Sequence, residues 1–124
     1  MIATDTSSLV AFLQGAAGAD IETLGVVATA GQLVLPPLVL TEILTDRVSA
    51  KLLESSLANL QLLSITDGYW QRAGLSRQTL RLLGLKAKIG DALIAQSCID
   101  HGVALITRDA DFRHFAAHCG LKLA

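Results

Sequence analysis

Short apolar runs alternate along this chain with longer segments in which apolar residues recur at helical spacing. This alternation is typical of βαβ units, in which a parallel sheet is buried between two layers of helices. The predicted strands are Ile2–Thr4, Leu33–Leu35, Leu60–Ile65, Val103–Thr107 and, as a further candidate, Leu121–Leu123. The predicted helices are Ser7–Gln14, Asp20–Ala30, Leu38–Asp46, Ser49–Ala58, Asp67–Leu83, Asp91–Asp100 and Asp111–Ala117.

Proline, glycine and aspartate mark several of the predicted helix ends. Pro36-Pro37 can open the third helix, since the first turn needs no backbone N–H there, and Asp67 is a candidate N-cap for the fifth. Gly84 and Gly102 are placed to end the fifth and sixth helices. No repeat, low-complexity tract or linker interrupts the sequence, so we expect residues 1–124 to fold as one domain. The pattern therefore predicts a small three-layer α/β domain with a central, mostly parallel sheet flanked by helices.

Composition limits the class of protein. Hydrophobic residues make up 52% of the 124 residues and charged residues 17%, which suits a packed core and excludes intrinsic disorder. The densest apolar stretch, Leu33–Leu40, is much shorter than the ~18 residues of a membrane span, and Met1–Asp5 lacks the features of a signal peptide. We therefore expect a soluble, cytoplasmic protein without membrane contact. In that reducing compartment Cys98 and Cys119 should be unpaired, with Cys98 buried, and the cysteines and histidines do not have zinc-ligand spacing.

Two aspartates follow apolar runs at the points where predicted strands end. Asp5 follows Ile2–Thr4, and Asp109 follows Val103–Thr107 after one arginine. Open α/β sheets bind their ligands at the carboxyl ends of the strands, and parallel strands bring those ends to one edge. We therefore expect both carboxylates at the same edge of the sheet. For each aspartate taken alone, capping of the following helix is an ordinary alternative role.

Two further acids lie in apolar surroundings. Glu42 is the only charged residue between Gly31 and Thr45, and Asp91 follows Gly90 at the start of an apolar helix. A carboxylate in such a setting is costly to desolvate unless a cation or a strong donor meets it. The alternatives are an exposed position for Glu42 and a helix N-cap for Asp91.

If these four acids converge, a cation is expected among them. Like charges a few ångström apart raise each other's pKa, and a divalent ion removes that repulsion. Oxygen ligands suit Mg²⁺ or Mn²⁺, which bind through a few carboxylates and substrate phosphate. No Ser/His or Cys/His couple lies beside the acids to supply a nucleophile for phosphodiester hydrolysis. A metal-bound water is therefore the expected nucleophile.

The order and context of these acids resemble the PIN-domain ribonucleases, in particular the VapC-type toxins of bacterial and archaeal toxin–antitoxin modules. The resemblance covers essentially the whole chain and implies a PIN-like fold, RNA cleavage with Mg²⁺ or Mn²⁺, a homodimer, and an antitoxin whose segment fills the acidic cleft. The segments that carry it are Ile2–Ser7, Leu40–Leu44, Gly90–Ala95 and Leu105–Phe112. The resemblance implies that four acids of this chain are catalytic and bind the metal: Asp5, Glu42, Asp91 and Asp109.

Other residues beside the acids are candidates for supporting roles. Residues two apart on a helix face different directions, so we expect Asp109 to be a direct metal ligand and Asp111 to lie behind it or to cap the helix. The hydroxyl groups of Thr6, Ser7 and Thr107 could hold a water or a phosphate oxygen. Ordinary hydroxyl capping is the simpler role for all three.

A basic stretch could attract RNA despite the net charge of -1. No acidic residue lies between Gly68 and Gly90, a segment that contains five basic residues. Arg77 and Arg81 are four apart and share a helix face, where like charges repel unless a phosphate or a carboxylate lies between them. The alternative is an ordinary solvated helix face. The predicted RNA-binding residues are Arg77, Arg81, Lys86 and Lys88, with Arg108 and Arg113 beside the acids.

Two other classes of function compete with a metal-dependent ribonuclease. A PIN-like module without catalysis could use the same groove to bind RNA or protein, and loss of a ligand acid would favour it, but all four acids are present. A phosphohydrolase of the haloacid dehalogenase type would need an aspartate two residues after Asp5, where Ser7 stands. The order of the acids does not fit a receiver domain. The ribonuclease is therefore the expected function.

Overall fold

The structure is a computed structural model and describes residues 1–57 and 59–124. This part of the chain contains four parallel strands and seven helices. The strands are β1 (Ile2–Thr4), β2 (Leu33–Leu35), β3 (Gln61–Leu62) and β4 (Ala104–Ile106). The helices are α1 (Thr6–Leu13), α2 (Ala19–Thr29), α3 (Pro37–Thr45), α4 (Arg47–Ser56), α5 (Tyr69–Leu82), α6 (Ile89–His101) and α7 (Phe112–His118). No helix in these ranges combines the length and the apolar content that a membrane span requires.

The sheet has the strand order β3-β2-β1-β4, and every neighbouring pair is parallel. Ile2 of β1 is in register with Leu33 on one side and with Ala104 on the other. The chain runs outward from β1 through β2 to β3 and then returns to the opposite side of β1 with β4. The strand order therefore reverses at β1, and the crevice at the carboxyl ends of β1 and β4 is the place where open α/β sheets bind ligands.

Helices cover both faces of the sheet, which confirms the predicted three-layer α/β fold. Side chains alternate along the strands, so Ala3, Val34 and Leu105 pack into the larger core cluster, which contains residues of α3, α5, α6 and α7. Leu33 and Ile106 face the other way and pack against buried residues of α2. The apolar residues of β2, together with Ala3, Leu105 and Ile106, are buried on both faces of the sheet, as parallel sheets require, whereas the edge strand β3 is exposed.

The predicted helices are all present, and the ends that the structure describes differ from the predicted ones by one or two residues. Pro36 and Pro37 are the N-cap and first residue of α3. Gly102 ends α6 with φ +63°, a left-handed conformation that favours glycine. The predicted end of the fourth helix, Ala58, lies outside the described residues.

Three local predictions are wrong. The strand predicted over Leu60–Ile65 is only Gln61–Leu62, because its neighbour β2 ends where Pro36 opens a helix and leaves little backbone to pair with. The strand predicted over Leu121–Leu123 is reduced to one bridge, since Leu105 alone exchanges hydrogen bonds with that segment. The N-cap of α5 is Gly68, not Asp67.

Both cysteines are free, and Cys98 is fully buried, as the sequence predicts. Burial raises the pKa of the Cys98 thiol to about 12, so this side chain is an unreactive apolar part of the core. Cys119 lies at the C-terminal end of α7, where its thiol contacts the carbonyl oxygen of Ser76.

Candidate active site

The carboxyl edge of the sheet gathers aspartates from three parts of the chain. Asp5 directly follows β1, and Asp109 and Asp111 lie in the segment between β4 and α7. α6 runs antiparallel to β4, to which it connects through Gly102, so the first turn of α6 with Asp91 lies at the same edge. The parallel topology is therefore what brings these acids, far apart in sequence, to one crevice.

Three of the carboxylates form a close cluster. Asp91, Asp109 and Asp111 each place one oxygen within 4.8 Å of the other two, and all three side chains are half-buried. The carboxylates of Asp5 and Glu42 are not part of this cluster. Two oxygens bound to the same ion through metal–oxygen bonds of ~2.1 Å lie at most roughly 4.2 Å apart. None of the separations among the three aspartate oxygens exceeds this limit by more than about 1 Å.

Asp91 is the least satisfied member of the cluster. Its Oδ2 is buried and has no hydrogen-bond partner among the described residues. Burial, and after it the negative charge of Asp109, raises the pKa of Asp91 to about 6, while Lys88 acts in the opposite direction. A buried carboxylate oxygen without a donor is costly unless a cation meets it. The structure thus contains an acid whose environment lacks the positive charge that would stabilise it.

Asp5 is buried, with 2% of its surface exposed, and its carboxylate has several hydrogen-bond donors. Oδ1 accepts the backbone N–H of Ser8 at 3.0 Å, so Asp5 is the N-cap of α1. Oδ2 accepts the hydroxyl groups of Ser7 at 2.7 Å and Thr107 at 2.6 Å. Burial nevertheless raises its pKa, and Asp109 adds to this effect. Asp5 has the capping role that was the alternative in the sequence, and its charge also raises the pKa of Asp91.

Glu42 lies on the exposed side of α3 and contacts the start of α1. Its Oε1 accepts the hydroxyl of Thr6 at 2.6 Å. Thr6 follows Asp5, so this bond ties Glu42 to the same edge of the sheet, outside the three-aspartate cluster. Glu42 is therefore placed at the rim of the crevice, with one carboxylate oxygen engaged by a hydroxyl.

Asp109 and Asp111 differ from the arrangement that helical spacing predicted. Asp109 precedes α7 and its Oδ1 accepts the backbone N–H of Asp111 at 2.9 Å, which makes a tight local turn. The side chain of Asp111 makes no capping hydrogen bond to α7. Asp111 is the N-cap residue of α7, as one of the two expected roles had it, but its carboxylate lies in the cluster with Asp91 and Asp109. The rule for helix faces does not apply to this pair, because Asp109 lies outside the helix.

Thr107 links β1 to the turn that carries Asp109. Its hydroxyl donates to Asp5 Oδ2 at 2.6 Å and accepts the backbone N–H of Asp109 at 3.0 Å. One hydroxyl therefore fixes the distance between the end of β1 and the segment after β4. Thr6, Ser7 and Thr107 all use their hydroxyl groups on acids of the site, so each acts in positioning a carboxylate.

Lys86 is the basic residue that reaches the aspartate cluster. Its Nζ lies 3.2 Å from Asp111 Oδ2, and 59% of its side chain is exposed. Arg77 is half-buried and its Nε donates to the carbonyl oxygen of Ala87 at 2.7 Å, so it holds the segment between α5 and α6. Lys88 and Arg81 are exposed. Of these predicted RNA-binding residues, Arg77 contacts the backbone and Lys86 pairs with Asp111, while Lys88 and Arg81 present their charge to solvent.

Arg108 pairs with an acid that the sequence did not single out. Its Nε and Nη2 donate to Asp20 Oδ2 and Oδ1 at 2.8 and 3.0 Å. Asp20 Oδ2 also accepts the hydroxyl of Ser8, and the Arg108 guanidinium lowers the pKa of Asp20. This network joins α2 to the start of α1, beside Asp5. Sequence reasoning missed it because an aspartate at the start of a helix has an ordinary interpretation as a cap, and no local signal identifies its partner 88 residues away.

Arg113 lies on α7 next to the acids, on the exposed side of that short helix. Its Nε donates to the carbonyl oxygen of Ala110 at 3.3 Å, a long hydrogen bond to its own turn. The remaining guanidinium N–H groups have no partner among the described residues. Arg113 therefore presents its guanidinium group to solvent, two residues along the chain from Asp111.

The donor set fits a hard divalent cation. It consists of carboxylate oxygens, with the unpartnered Oδ2 of Asp91 among them, and it contains no cysteine or histidine. Three aspartates at this spacing repel one another, and Lys86 is the one cation within salt-bridge distance of the cluster among the described residues. The residues present therefore suit an ion bound through oxygen by Asp91, Asp109 and Asp111.

Comparisons with known proteins agree with this architecture. Residues 2–118 match the PIN domain family. No curated protein matches the chain by sequence. Among solved structures, VapBC2 from Rickettsia felis, bound to a DNA fragment from its promoter, is similar with a TM-score of 0.78 at 20% sequence identity. That match covers 100% of this chain and 98% of the other chain.

Proposed function

The chain belongs to the PIN domain family, and from this premise we propose that it is an endoribonuclease dependent on Mg²⁺ or Mn²⁺, the toxin of a toxin–antitoxin pair. The observation that carries the proposal is the cluster of Asp91, Asp109 and Asp111, in which one buried carboxylate oxygen has no partner. Such a cluster destabilises the fold unless a cation occupies it, so its presence at the ligand-binding edge of the sheet favours a catalytic role.

The three clustered aspartates would hold the ion, with Asp5 and Glu42 as further acids of the site. A divalent ion bound there supplies an acidified water as nucleophile and stabilises charge on the transferring phosphoryl group. Asp5 contributes negative charge and holds Thr107, which in turn holds the backbone of Asp109. The position of Asp5 is fixed by its cap on α1.

The basic side chains of the crevice would bind the RNA backbone. Lys86, Lys88, Arg81 and Arg113 are exposed and belong to segments that meet at the acidic edge or lead into it. Contacts of lysine and arginine with phosphate position a nucleic acid without selecting its sequence. Arg77 supports this surface through Ala87, whereas Arg108 is held by Asp20 beside Asp5.

The test of the activity is cleavage of a panel of structured RNAs by the purified protein with Mg²⁺ or Mn²⁺. We expect cleavage that EDTA abolishes and that Asp91→Asn abolishes. Asp67→Asn is the matched control, because Asp67 is exposed, lies at the start of α5 away from the cluster, and undergoes the same chemical change. Cleavage that persists in EDTA or in Asp91→Asn would contradict the proposal.

The alternative, a PIN-like module that binds RNA or protein without catalysis, predicts a different result. In that case the folded protein binds no divalent ion and cuts no RNA in the panel, and both aspartate variants behave like the wild type. Calorimetric titration with Mn²⁺ distinguishes the two functions before any substrate is known. Metal binding that Asp91→Asn removes supports the enzyme.

The proposed partners are a cognate antitoxin and a second copy of the chain, in the cytoplasm. Exposed apolar side chains on several helices support a protein partner, since a monomer gains nothing from exposing them. Light scattering of the purified chain tests the homodimer, and growth arrest on expression, relieved in Asp91→Asn, tests the toxin role. The most exposed of these side chains are Val26, Val48, Trp70, Leu75, Leu82 and Ile89.

A further inference from the structure

Lys86 joins the basic segment between α5 and α6 to the acidic cluster. Its ammonium group lies 3.2 Å from Asp111 Oδ2, and the Asp111 side chain is 25% exposed. This is a single contact between a flexible side chain and one oxygen, with 59% of the lysine side chain in solvent. Such exposed pairs are weak, so the ammonium can leave Asp111 at little cost.

The backbone that carries Lys86 is fixed even though its side chain is free. Arg77 Nε donates to the carbonyl oxygen of Ala87 at 2.7 Å, and Ala87 is buried. The backbone N–H of Leu85 donates to the carbonyl oxygen of Leu80 at 3.0 Å. Both neighbours of Lys86 are therefore anchored, and the ammonium group is confined to the region around the cluster.

We propose that Lys86 is a displaceable counter-cation, which neutralises Asp111 when the cluster holds no divalent ion and which binds the RNA phosphate once an ion has taken its place. The inference rests on the proposed function, because it needs both an ion and a phosphodiester at this edge. Lysine suits the role as a compact point charge on a long flexible stem that makes one contact at a time.

The charges around the cluster favour such an exchange. Three carboxylates at this spacing favour any nearby cation, and Lys86 is close enough to bind one of them. A divalent ion in the same cluster repels the ammonium, so ion binding and the pair of Lys86 with Asp111 oppose each other. Lys88 also faces this region and acts on Asp91. The released ammonium then faces the crevice, where a phosphodiester must lie to be cleaved.

The first test measures Mn²⁺ affinity in the absence of RNA, by calorimetry on the full chain. Lys86→Gln should bind Mn²⁺ about twofold to fivefold more tightly than the wild type, because no internal cation competes with the ion. Lys51→Gln is the matched control: Lys51 is exposed on α4, remote in the fold from the cluster, and its loss changes the net charge equally. An affinity of Lys86→Gln equal to that of Lys51→Gln would overturn the inference.

The second test measures the salt dependence of binding to a fluorescently labelled oligouridine, with Ca²⁺ as the ion. Loss of one lysine–phosphate contact should make the slope of log affinity against log salt shallower by about 0.7 in Lys86→Gln, and Lys51→Gln should keep the wild-type slope. A lysine that only stabilises the fold would change neither the slope nor the Mn²⁺ affinity. Tighter ion binding together with weaker RNA binding is the signature of the exchange.

Failure of the inference is distinguishable from failure of the proposed function. If the wild type binds no Mn²⁺ and cuts no RNA, the proposed function is wrong and the inference fails with it. If the wild type binds Mn²⁺ and cuts RNA but Lys86→Gln matches the control in both tests, the inference alone is wrong. Thermal melting of both variants verifies that they are folded.

Discussion

Replacement of Asp91 by asparagine should stabilise the metal-free protein and remove the proposed metal-dependent activity. Burial and the charge of Asp109 raise the pKa of Asp91 from 3.8 to about 6. One pKa unit corresponds to ~1.4 kcal/mol, so the whole shift would destabilise the folded protein by roughly 3 kcal/mol above pH 6. The carboxylate keeps some contact with solvent, and the new amide has polar groups of its own. We therefore expect a gain of about 1–2 kcal/mol in the free energy of unfolding.

The gain should depend on pH in a defined direction. A carboxyl group whose pKa is higher in the folded than in the unfolded protein binds its proton more tightly in the folded state. The wild type therefore loses stability as the pH rises from about 4 to about 6, while Asp91→Asn has no such titration at this position. The difference between variant and wild type should be small below about pH 4, increase up to about pH 6, and stay constant above it.

Thermal unfolding in EDTA across this pH range measures the difference. For a chain of this length, 1 kcal/mol shifts the midpoint by about 3–5 °C. Asp46→Asn is the control, because hydrogen bonds from Ser49 lower the pKa of Asp46 and no gain is expected there. Saturating Mn²⁺ should reverse the ranking, since an ion at 100 times its Kd stabilises only the wild type, by ~2.7 kcal/mol. A variant that is less stable than the wild type in EDTA at neutral pH would refute the reasoning.

Three further changes have defined outcomes. Asp100→Asn should lower the free energy of unfolding by about 1 kcal/mol, because it leaves Arg72 without its carboxylate. Since the pKa of Asp100 is lowered to about 2, urea titrations should show this difference above pH 4 and its loss as the pH falls towards 2. Thr107→Val should cost about 1–2 kcal/mol and weaken Mn²⁺ binding, and an unchanged affinity would show that its hydroxyl does not position the site. Arg81→Glu should weaken RNA binding in filter assays without changing the melting temperature. Arg77→Glu should lower both the RNA affinity and the melting temperature, because only Arg77 holds the backbone at Ala87. Equal melting temperatures for the two variants would contradict this distinction.

The fold and the place of the candidate site follow from local patterns in the sequence. Apolar runs such as Ile2–Thr4 and Leu33–Leu35 identify strands, because a parallel sheet covered on both faces has no solvent-facing side that would place polar residues in the run. The acids at strand ends then identify the ligand-binding edge, since parallel strands share their carboxyl ends. Asp91 was found through its position at the start of an apolar helix, which the topology returns to the same edge.

Contacts between distant segments could not be predicted in this way. The pair of Arg108 with Asp20 depends on how α2 packs against the segment after β4, and no spacing rule reaches across 88 residues. The bond of Arg77 to Ala87 depends on the path of the segment between α5 and α6. The side-chain arrangement of Asp109 and Asp111 also depends on local detail, because the helix begins one residue later than predicted and Asp109 lies in the preceding turn.

The pairing of β1 with β4 also determines when during synthesis the site can exist. These strands are in register, Ile2 with Ala104 and Thr4 with Ile106, although about a hundred residues separate them in the chain. Contacts between residues so far apart in sequence form late in folding. Closing so large a loop costs conformational entropy, and this cost is compensated only after the intervening chain is ordered. In chain order β4 follows β1, β2 and β3, and Asp109 and Asp111 follow β4. A nascent chain therefore carries all its basic residues of α5 before it can assemble the acidic cluster, and no amino-terminal fragment that stops short of β4 contains the site.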